Sequence, residues 1–360
     1  MEETLRRINA TVQEATLQAR GRSLSMRKKR DPTRPSAKWI SSSRIGREQG
    51  TALAVVLSTI GCAHARSDSG GCTMCSYLLD GTQEKPTSEQ IVTQFKTAMA
   101  ELDSKKAPLS IKIYTSGSFF DDEEVPSEAR IAILRAIASD NRVREVILES
   151  RPEYVIDSIL SDVRTILGDR IIEIGIGLES SSDTVRSLCI NKNFDLQSFK
   201  DALRTAKNYN IGMRAYILLK PPFLTERDAL QDALTTIQDA RAMGVTTVSL
   251  NPVTVQKDTL VERLWSRGNY RPPWLWSVVE IIRKASSTSD EWMKIICDPV
   301  AAGKKRGAHN CGKCDGQIVD AIRQFSLTQN HSDLEDLRCE CKSQWKHVLK
   351  HEDFSLVVHK

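Results

Sequence analysis

Three cysteines early in the chain are the residues best suited to metal chemistry. Cys62, Cys72 and Cys75 are spaced C-x9-C-x2-C, and the glycine pair at 70–71 lets the backbone turn back between them. Three thiolates can hold three irons of a 4Fe–4S cluster and leave the fourth iron open. A structural zinc ion would need four ligands, and His64 is a candidate for the fourth. The spacing therefore favours an iron–sulfur cluster and leaves zinc, or simply buried thiols, as alternatives.

A second group of cysteines lies near the C-terminus. A C-x2-C pair is followed 24 residues later by a C-x-C pair, giving four thiols at Cys311, Cys314, Cys339 and Cys341. Four thiolates suffice for a closed tetrahedral zinc site, which would add folding free energy to a segment with few apolar residues. Tetrathiolate sites also hold iron–sulfur clusters, and Cys297 or His309 could replace one ligand. We expect one zinc ion here, with a second cluster as the alternative.

The first cysteine group directly follows the first of six short apolar runs. These runs alternate with helical patterns and lack polar alternation, as strands buried on both faces do. Thr87 with Gln90 predicts a helix start, and Gly212 and Gly244 predict left-handed helix ends. The pattern predicts an α/β fold, a partial (β/α)6 TIM-like barrel, whose chemistry gathers beyond the carboxyl ends of the strands. The six runs are Ala52–Thr59, Ser110–Thr115, Arg144–Glu149, Ile171–Leu178, Met213–Leu219 and Val245–Leu250.

Composition divides the chain into three parts: a basic, flexible tail over 1–35, the barrel over 36–290 and a Cys/His-rich module over 291–360. The tail holds nine basic and four acidic residues, so the formal charge of +5 lies there and 42 residues of each sign remain elsewhere. Such a tail suits a polyanion, although a solvated arm is equally possible.

No apolar run is long enough to cross a membrane, and no signal sequence begins the chain. Nine cysteines is an odd number, which argues against a secreted disulfide framework and for reduced thiols that bind metal. We therefore expect a cytoplasmic protein without a membrane partner.

A cysteine triplet after the first strand of such a pattern resembles the radical S-adenosylmethionine (SAM) superfamily, and the long C-x9-C-x2-C spacing resembles its Elongator-like branch. Three further stretches resemble the archaeosine-biosynthesis radical SAM proteins (the RaSEA family). Two departures from that family are Ser76, where glycine is expected, and Ala308, where proline is usual. The stretches are 71–77 (GCTMCSY), 149–153 (ESRPE), and 309–315 (HNCGKCD) with the downstream 325–329 (FSLTQ).

The resemblance implies a 4Fe–4S cluster on Cys62, Cys72 and Cys75, with SAM bound beside it. The turn after strand two would receive the SAM amino group, although the acidic residue usual in that turn is missing here. A carboxylate on strand three would bind ribose hydroxyls, and the cations would bind carboxylates. Each position also has a structural alternative as a strand-end turn, an ion pair, a helix cap or an exposed lysine. The residues so assigned are Ser116, Gly117, Ser118, Glu149, Arg151, Glu179 and Lys220.

The function implied by the resemblance is the last step of archaeosine formation. A partner synthase attaches lysine to a 7-deazaguanine at position fifteen of tRNA, and the radical enzyme, supplied by an electron donor, cleaves the lysine C–N bond. One alternative is another radical SAM enzyme of tRNA modification, closer to Elongator. The other is a zinc-stabilised RNA-binding protein without catalysis, which would leave the first cysteine triplet unexplained.

Overall fold

A curved sheet dominates the computed structural model, which describes residues 2–23, 25, 29–286 and 293–352. In this part of the chain eight strands pair in sequence order; the first pair is antiparallel and every later pair is parallel. The strands are β1 Ala37–Ile45, β2 Glu48–Val56, β3 Leu109–Tyr114, β4 Val143–Glu149, β5 Ile171–Glu179, β6 Gly212–Leu219, β7 Thr247–Pro252 and β8 Lys294–Ile296.

Helices connect the parallel strands and cover the convex face of the sheet, where the main hydrophobic core lies. The predicted start of the first long connecting helix is present as a reciprocal cap between Thr87 and Gln90. The helices are α1 Glu2–Arg20, α2 Ala63–Arg66, α3 Ser88–Met99, α4 Ser127–Ala138, α5 Asp157–Leu167, α6 Asp183–Val185, α7 Leu196–Asn208, α8 Glu226–Met243, α9 Leu260–Ser266, α10 Leu275–Ser286, α11 Asp315–Thr328 and α12 Cys341–His351.

The predicted α/β fold class is confirmed, and each of the six predicted runs forms a parallel strand. Two strands were missed. β1 alternates small polar and apolar residues because it is an edge strand with one face away from the core, and β8 has only three residues. Helix α11 contacts both edge strands, and Arg44 of β1 donates to the carbonyl oxygens of Leu327 and Thr328 at its end. The half-barrel is thus closed by a helix rather than by further strands.

The concave face of the sheet is charged. Lys294 of β8 contacts Glu145 of β4 at 3.2 Å, and these strands are not neighbours, so the ion pair must cross the interior of the half-barrel. Arg214 of β6 pairs with Glu173 of β5 at 2.7 Å, and Lys112 of β3 shares their electrostatic field. Polar groups thus lie inside the curve of the sheet, below the carboxyl ends of its strands.

Two local expectations are revised by the structure. Residues 2–20 of the expected flexible tail form helix α1, in which Val12 and Thr16 are buried, while the basic residues Arg27 and Lys28 lie outside the described residues. Gly244 ends α8 in the left-handed conformation as predicted, but Gly212 begins β6, and Asn210 takes the positive φ of 52° after α7. Among the described residues, no helix combines the length and apolarity that crossing a membrane requires.

Candidate functional site

The loop that carries Cys62, Cys72 and Cys75 follows β2 at the carboxyl end of the sheet. His64 fixes this loop because its Nε2 lies 2.7 Å from the Asn191 carbonyl oxygen and its Nδ1 lies 3.0 Å from Ser69 Oγ. Both imidazole nitrogens are therefore engaged within the loop's own framework, and burial lowers the pKa of His64 to about 4. Since both nitrogens have partners in the chain, this arrangement does not offer His64 as a fourth zinc ligand, the alternative that the sequence left open.

Asn191 and Gly71 set the shape of the loop. Asn191 has a left-handed backbone, and its Nδ2 donates to the carbonyl oxygens of Ser69 and Gly71 at 2.8 and 2.7 Å. Gly71 has a φ of 78°, and a Cβ added there would lie 2.8 Å from the Ala65 Cα. A side chain at this position would combine backbone strain with a clash, so the close return of the loop requires glycine.

The three loop thiols lie within electrostatic reach of one another. Burial raises the pKa of Cys62, which the Arg151 guanidinium opposes, and burial together with the neighbouring Cys72 raises the pKa of Cys75 to about 12. Three confined thiols are a donor set that needs a cation, since a bound metal would stabilise thiolates that burial alone disfavours. They do not form a group with all ligand atoms within 4.8 Å of one another, as ligands of one ion would. This donor set therefore fits a multi-iron cluster better than a single zinc ion.

Helix α1 contacts the cysteine loop and holds it in place. Arg20, at the end of the helix, is 5% exposed and donates to the carbonyl oxygens of Ala65 and Cys75 at 2.7 and 3.2 Å. Asn9 of the same helix donates to Ser187, just before the Asn191 turn. Arg20 could not be singled out from the sequence, because one arginine in a basic segment resembles any other.

The turn Ser116–Ser118 after β3 is pressed against the cysteine loop. A Cβ added to Gly117 would lie 2.6 Å from the Cys62 Cα and 2.0 Å from Glu124 Oε1. Glu124 accepts from the Ser118 backbone N–H at 3.0 Å and from Thr59 Oγ1 at 2.9 Å, and burial raises its pKa to about 7. The turn itself has no acidic residue, but Glu124, six residues after Ser118 in the chain, places a carboxyl group beside it.

The hydroxyl groups of this turn have partners within the chain. Ser118 Oγ lies 2.8 Å from Ser150 Oγ, and Ser116 Oγ donates to the Tyr77 carbonyl oxygen at 3.0 Å. The two serines thus tie the turn to β4 and to the cysteine loop.

Arg151 and Glu179 end neighbouring strands at the same rim. Arg151 pairs with Glu153 at 2.5 Å, and its guanidinium lies 5.6 Å from the centre of the Phe194 ring. Glu179 has a φ of 64° and binds Lys192 Nζ at 2.8 Å, with both side chains about one-tenth exposed. Lys192 was missed in the sequence because it follows a short helix, where an exposed lysine is the ordinary expectation.

Glu149 lies between these groups at the end of β4. Burial raises its pKa to about 8, while the Lys192 ammonium acts in the opposite direction and Glu124 and Glu179 add to the rise. Three carboxylates and two cations thus gather around the cysteine loop, where a zwitterionic, hydroxyl-bearing molecule would find complementary groups.

Lys220 is placed differently from the sequence expectation. It is 4% exposed, with a φ of 62°, and its Nζ lies 2.8 Å from Glu226 Oε2 and 3.7 Å from Glu352 Oε1. The buried ammonium thus has two carboxylate partners within the chain. Lys220 therefore links β6 to α8 and to the end of α12, and its assignment as a SAM contact stays a prediction.

The four C-terminal thiols form a compact group, with all four Sγ atoms within 4.8 Å of one another. Neighbouring Sγ atoms are 3.9 Å apart for Cys311 and Cys314, 3.7 Å for Cys311 and Cys339, and 3.6 Å for Cys314 and Cys341. Tetrahedral zinc with Zn–S bonds of ~2.3 Å places sulfurs about 3.8 Å apart. The two other candidates are elsewhere: Cys297 is buried, with its backbone N–H bonded to Ser326, and His309 Nδ1 lies 2.8 Å from the Gly307 carbonyl oxygen.

This architecture defines a class: an α/β half-barrel with three cysteines beyond its first parallel strand and a four-thiol C-terminal site. The solved structure of Elp3 from the archaeon Methanocaldococcus infernus shares the fold, with a TM-score of 0.50 and 14% identity over 69% of this chain and 60% of that one. No family model matches the chain.

Sequence comparison gives the family. The chain is 44% identical over 321 residues to archaeosine synthase subunit beta of Methanosarcina acetivorans, covering 89% of this chain and 91% of the relative. It is 38% identical over 323 residues to archaeosine synthase subunit beta of Thermococcus kodakarensis, covering 89% and 99%. A protein of Methanocaldococcus jannaschii is 38% identical over 358 residues. The chain belongs to the archaeosine synthase subunit beta family.

Proposed function

We propose that this chain is the radical SAM component of archaeosine formation, and that it cleaves the C–N bond of a lysine adduct on a 7-deazaguanine of tRNA. The observation that carries the proposal is the cysteine loop: three thiols lie at the carboxyl end of a half-barrel, in a chain that matches archaeosine synthase subunit beta over most of its length. The word subunit in the relatives' name supports a partner protein, which we assign as the lysine-transferring synthase.

Cys62, Cys72 and Cys75 would hold a 4Fe–4S cluster. Bound there, such a cluster would supply the one-electron reduction by which SAM is cleaved and hydrogen abstraction from the substrate is initiated. The protein's own contribution is to position SAM and substrate and to keep water away. The buried surroundings of the loop, closed by α1 above and the Ser116–Ser118 turn beside it, serve that purpose.

The charged groups at the rim suit the parts of SAM. We assign the SAM ammonium to the turn at Gly117, where the Glu124 carboxyl group lies beside the Ser118 backbone N–H. Arg151 suits the SAM carboxylate, because its guanidinium faces the loop thiols from the end of β4. Glu149 suits the ribose hydroxyls, and we assign the Glu179–Lys192 pair to the amino and carboxylate groups of the lysine adduct.

The C-terminal thiols are assigned to one zinc ion. The Sγ separations of 3.6–3.9 Å agree with a single tetrahedral ion, whereas the thiolates of a cluster bind separate irons and lie further apart. Burial raises the pKa of Cys314, while backbone N–H groups of Lys313 and Cys314 hold the pKa of Cys311 at about 7. The role of this ion is to order the module, since the chemistry is assigned to the first cluster.

The decisive experiment is anaerobic reconstitution with iron and sulfide. The protein is then incubated with SAM, a reductant and lysine-adducted tRNA, and nucleosides are identified by mass spectrometry. We expect 5′-deoxyadenosine and archaeosine from the wild-type chain. Changing Cys62, Cys72 or Cys75 to Ala should abolish both, because three thiolates are needed to hold the cluster.

The matched control is Cys189→Ala, which removes a buried thiol outside both cysteine groups and should leave iron loading intact. Production of 5′-deoxyadenosine by any of the three loop variants would refute the cluster assignment. Cluster and SAM cleavage in the wild-type chain, without conversion of the adducted tRNA, would retain a radical SAM enzyme and reject the substrate. Zinc in place of iron at the loop would support a non-catalytic RNA-binding protein.

A further inference from the structure

The last described helix carries an exposed row of positive charge. Helix α12 has the sequence CKSQWKHVLKH, with three lysines, two histidines and no acidic residue. Lys346, His347, Lys350 and His351 are exposed, and Lys342 is half-buried. Within the described residues, no carboxylate lies within 4 Å of the Lys346 or Lys350 ammonium group. The row stands out because the chain beyond residue 35 has equal numbers of basic and acidic residues.

Local effects do not account for this charge. Lys350 and His351 lie in the last turn, where the helix dipole favours cations, but Lys342 lies in the first turn, where it does not. Lys342 has a partner, since its Nζ lies 5.0 Å from the centre of the Trp276 ring. Neither the helix dipole nor contact with an aromatic ring explains the position of Lys346. Lysines four residues apart on a helix also repel one another, so their placement is not explained by helix stability.

The helix is fixed at both ends. Its first residue, Cys341, belongs to the four-thiol group and accepts from Trp276 Nε1 at 3.3 Å. Beyond its other end, Glu352 accepts from the Glu226 backbone N–H at 2.6 Å and lies 3.7 Å from Lys220 Nζ. Lys220 follows β6, so α12 ends beside the carboxyl end of the barrel, the edge that carries the cysteine loop.

We propose that the exposed face of α12, formed by Lys346, His347, Lys350 and His351, is a docking surface for the phosphate backbone of tRNA, an inference that rests on the proposed function. Two exposed lysines without a carboxylate partner, on a helix that leads to the active-site edge, match the charge of an RNA backbone running toward that edge. Phosphate contacts of this kind position a nucleic acid without reading its sequence. The surface therefore orients the substrate, while base recognition belongs to the barrel.

The test uses the full chain, an unmodified tRNA transcript and the double variant K346Q/K350Q. Each lost phosphate contact should reduce the slope of log K against log salt by roughly 0.7–0.9, so two contacts reduce it by about 1.5 and weaken binding about tenfold or more at moderate salt. The matched control is K105Q/K106Q, which removes two exposed lysines just before β3, at the opposite end of the strands. Metal content and thermal unfolding check that the module of each variant is intact.

Reduced affinity together with a flatter salt slope in K346Q/K350Q, and neither change in the control, supports the surface. Equal slopes for the wild-type chain and K346Q/K350Q overturn it. Loss of binding to the lysine-transferring subunit with an unchanged RNA slope also overturns it and assigns the helix to a protein contact. Cleavage of SAM without RNA is measured in parallel; a failure there, or in conversion of the adducted tRNA by the wild-type chain, counts against the proposed function and leaves the salt-slope result to be judged separately.

Discussion

Arg20 shows how one side chain can hold the cysteine loop in place without being a metal ligand itself. Its guanidinium reaches two backbone carbonyl oxygens, one before and one after the fold-back of the loop, at Ala65 and Cys75. Arginine suits this task because its planar donors are fixed relative to one another, whereas a lysine ammonium is a single point. The loop on which the cluster is assigned is therefore held by an element that lies far away in the sequence.

Arg20→Ala should load the cluster but release it faster. Each lost hydrogen bond from a charged donor costs about 1.5–3 kcal/mol, so the loss of two predicts that the cluster's visible absorption bleaches roughly a hundredfold faster in the presence of a chelator. Arg20→Lys should lie between the two, since one ammonium replaces one of the bonds. Arg22→Ala, at an exposed position two residues later, is the control. Equal bleaching rates for R20A and the wild-type chain would show that α1 does not stabilise the loop.

The cysteine loop illustrates which features of the site could be predicted from the sequence and which could not. The spacing of the three cysteines and the glycine pair was sufficient to predict a folded-back loop. The roles of His64, Asn191 and Glu124 depend on segments that meet only in the folded chain, and the separation of His64 from Asn191 is 127 residues. The position of Lys220 at a strand end could be predicted, but its ion pair with the Glu226 carboxylate could not.

At the scale of elements, the sheet is held together by charge on its concave side as well as by the apolar core behind it. Glu173 of β5 accepts from Arg214 Nη2 at 2.7 Å and from Thr247 Oγ1 of β7 at 2.5 Å. Burial alone would raise the pKa of Glu173, but Arg214 and Lys294 reverse this and lower it to about 2. The Glu173 carboxylate of β5 thus bonds to side chains of β6 and β7, and the Lys294 ammonium of β8 also stabilises its charge.

This pKa gives a pH-dependent stability. Because the folded pKa is below the ordinary value of 4.5, Glu173 stabilises the fold fully above pH 4.5 and loses that contribution as the pH falls toward 2. The contribution is about 3 kcal/mol at most. Glu173→Gln should remove this part of the pH dependence and, by leaving Arg214 buried without its partner, destabilise the fold by about 3–5 kcal/mol at neutral pH.

Urea unfolding at a series of pH values from neutral to acid measures both effects. Glu101→Gln is the control, because Glu101 forms a partly exposed ion pair with Lys38 at 2.7 Å, and such pairs contribute about 1 kcal/mol or less. If Glu173→Gln and the wild-type chain lose stability equally between pH 4.5 and the acid limit, Glu173 does not carry this linkage.

The order of elements was predictable for a physical reason. Parallel strands buried on both faces form continuous apolar runs, so six strands could be read directly. β1 is antiparallel and on the edge, and its residues Ser41, Ser42 and Ser43 interrupt the apolar pattern. The helical character of residues 2–20 was missed because its apolar positions are few and its buried side, at Val12 and Thr16, packs against the rest of the chain.

At the scale of the whole molecule, the C-terminal module is joined to the barrel at both ends of α12. The four thiols fix one end, and the buried Lys220–Glu226 pair, which Glu352 also approaches, fixes the other. Trp276 of α10 donates to Cys341 Sγ of the module, and Trp345 of α12 donates to Ser277 of α10; both tryptophans are almost completely buried. A folded module therefore fixes the position of α12 at the edge of the barrel where the substrate is proposed to enter.

Loss of the C-terminal metal should accordingly separate SAM chemistry from substrate conversion. In Cys314→Ser one ligand is lost, so we expect the chain to lose one zinc ion and the segment after residue 297 to become sensitive to limited proteolysis. The loop at Cys62, Cys72 and Cys75 belongs to another part of the fold, so iron content and uncoupled SAM cleavage should persist while archaeosine formation falls. Cys297→Ser, at a buried thiol outside the four-thiol group, should keep its zinc. Loss of iron instead of zinc from Cys314→Ser would place a second cluster in the module, and unchanged protease resistance would mean that α12 is held by packing alone.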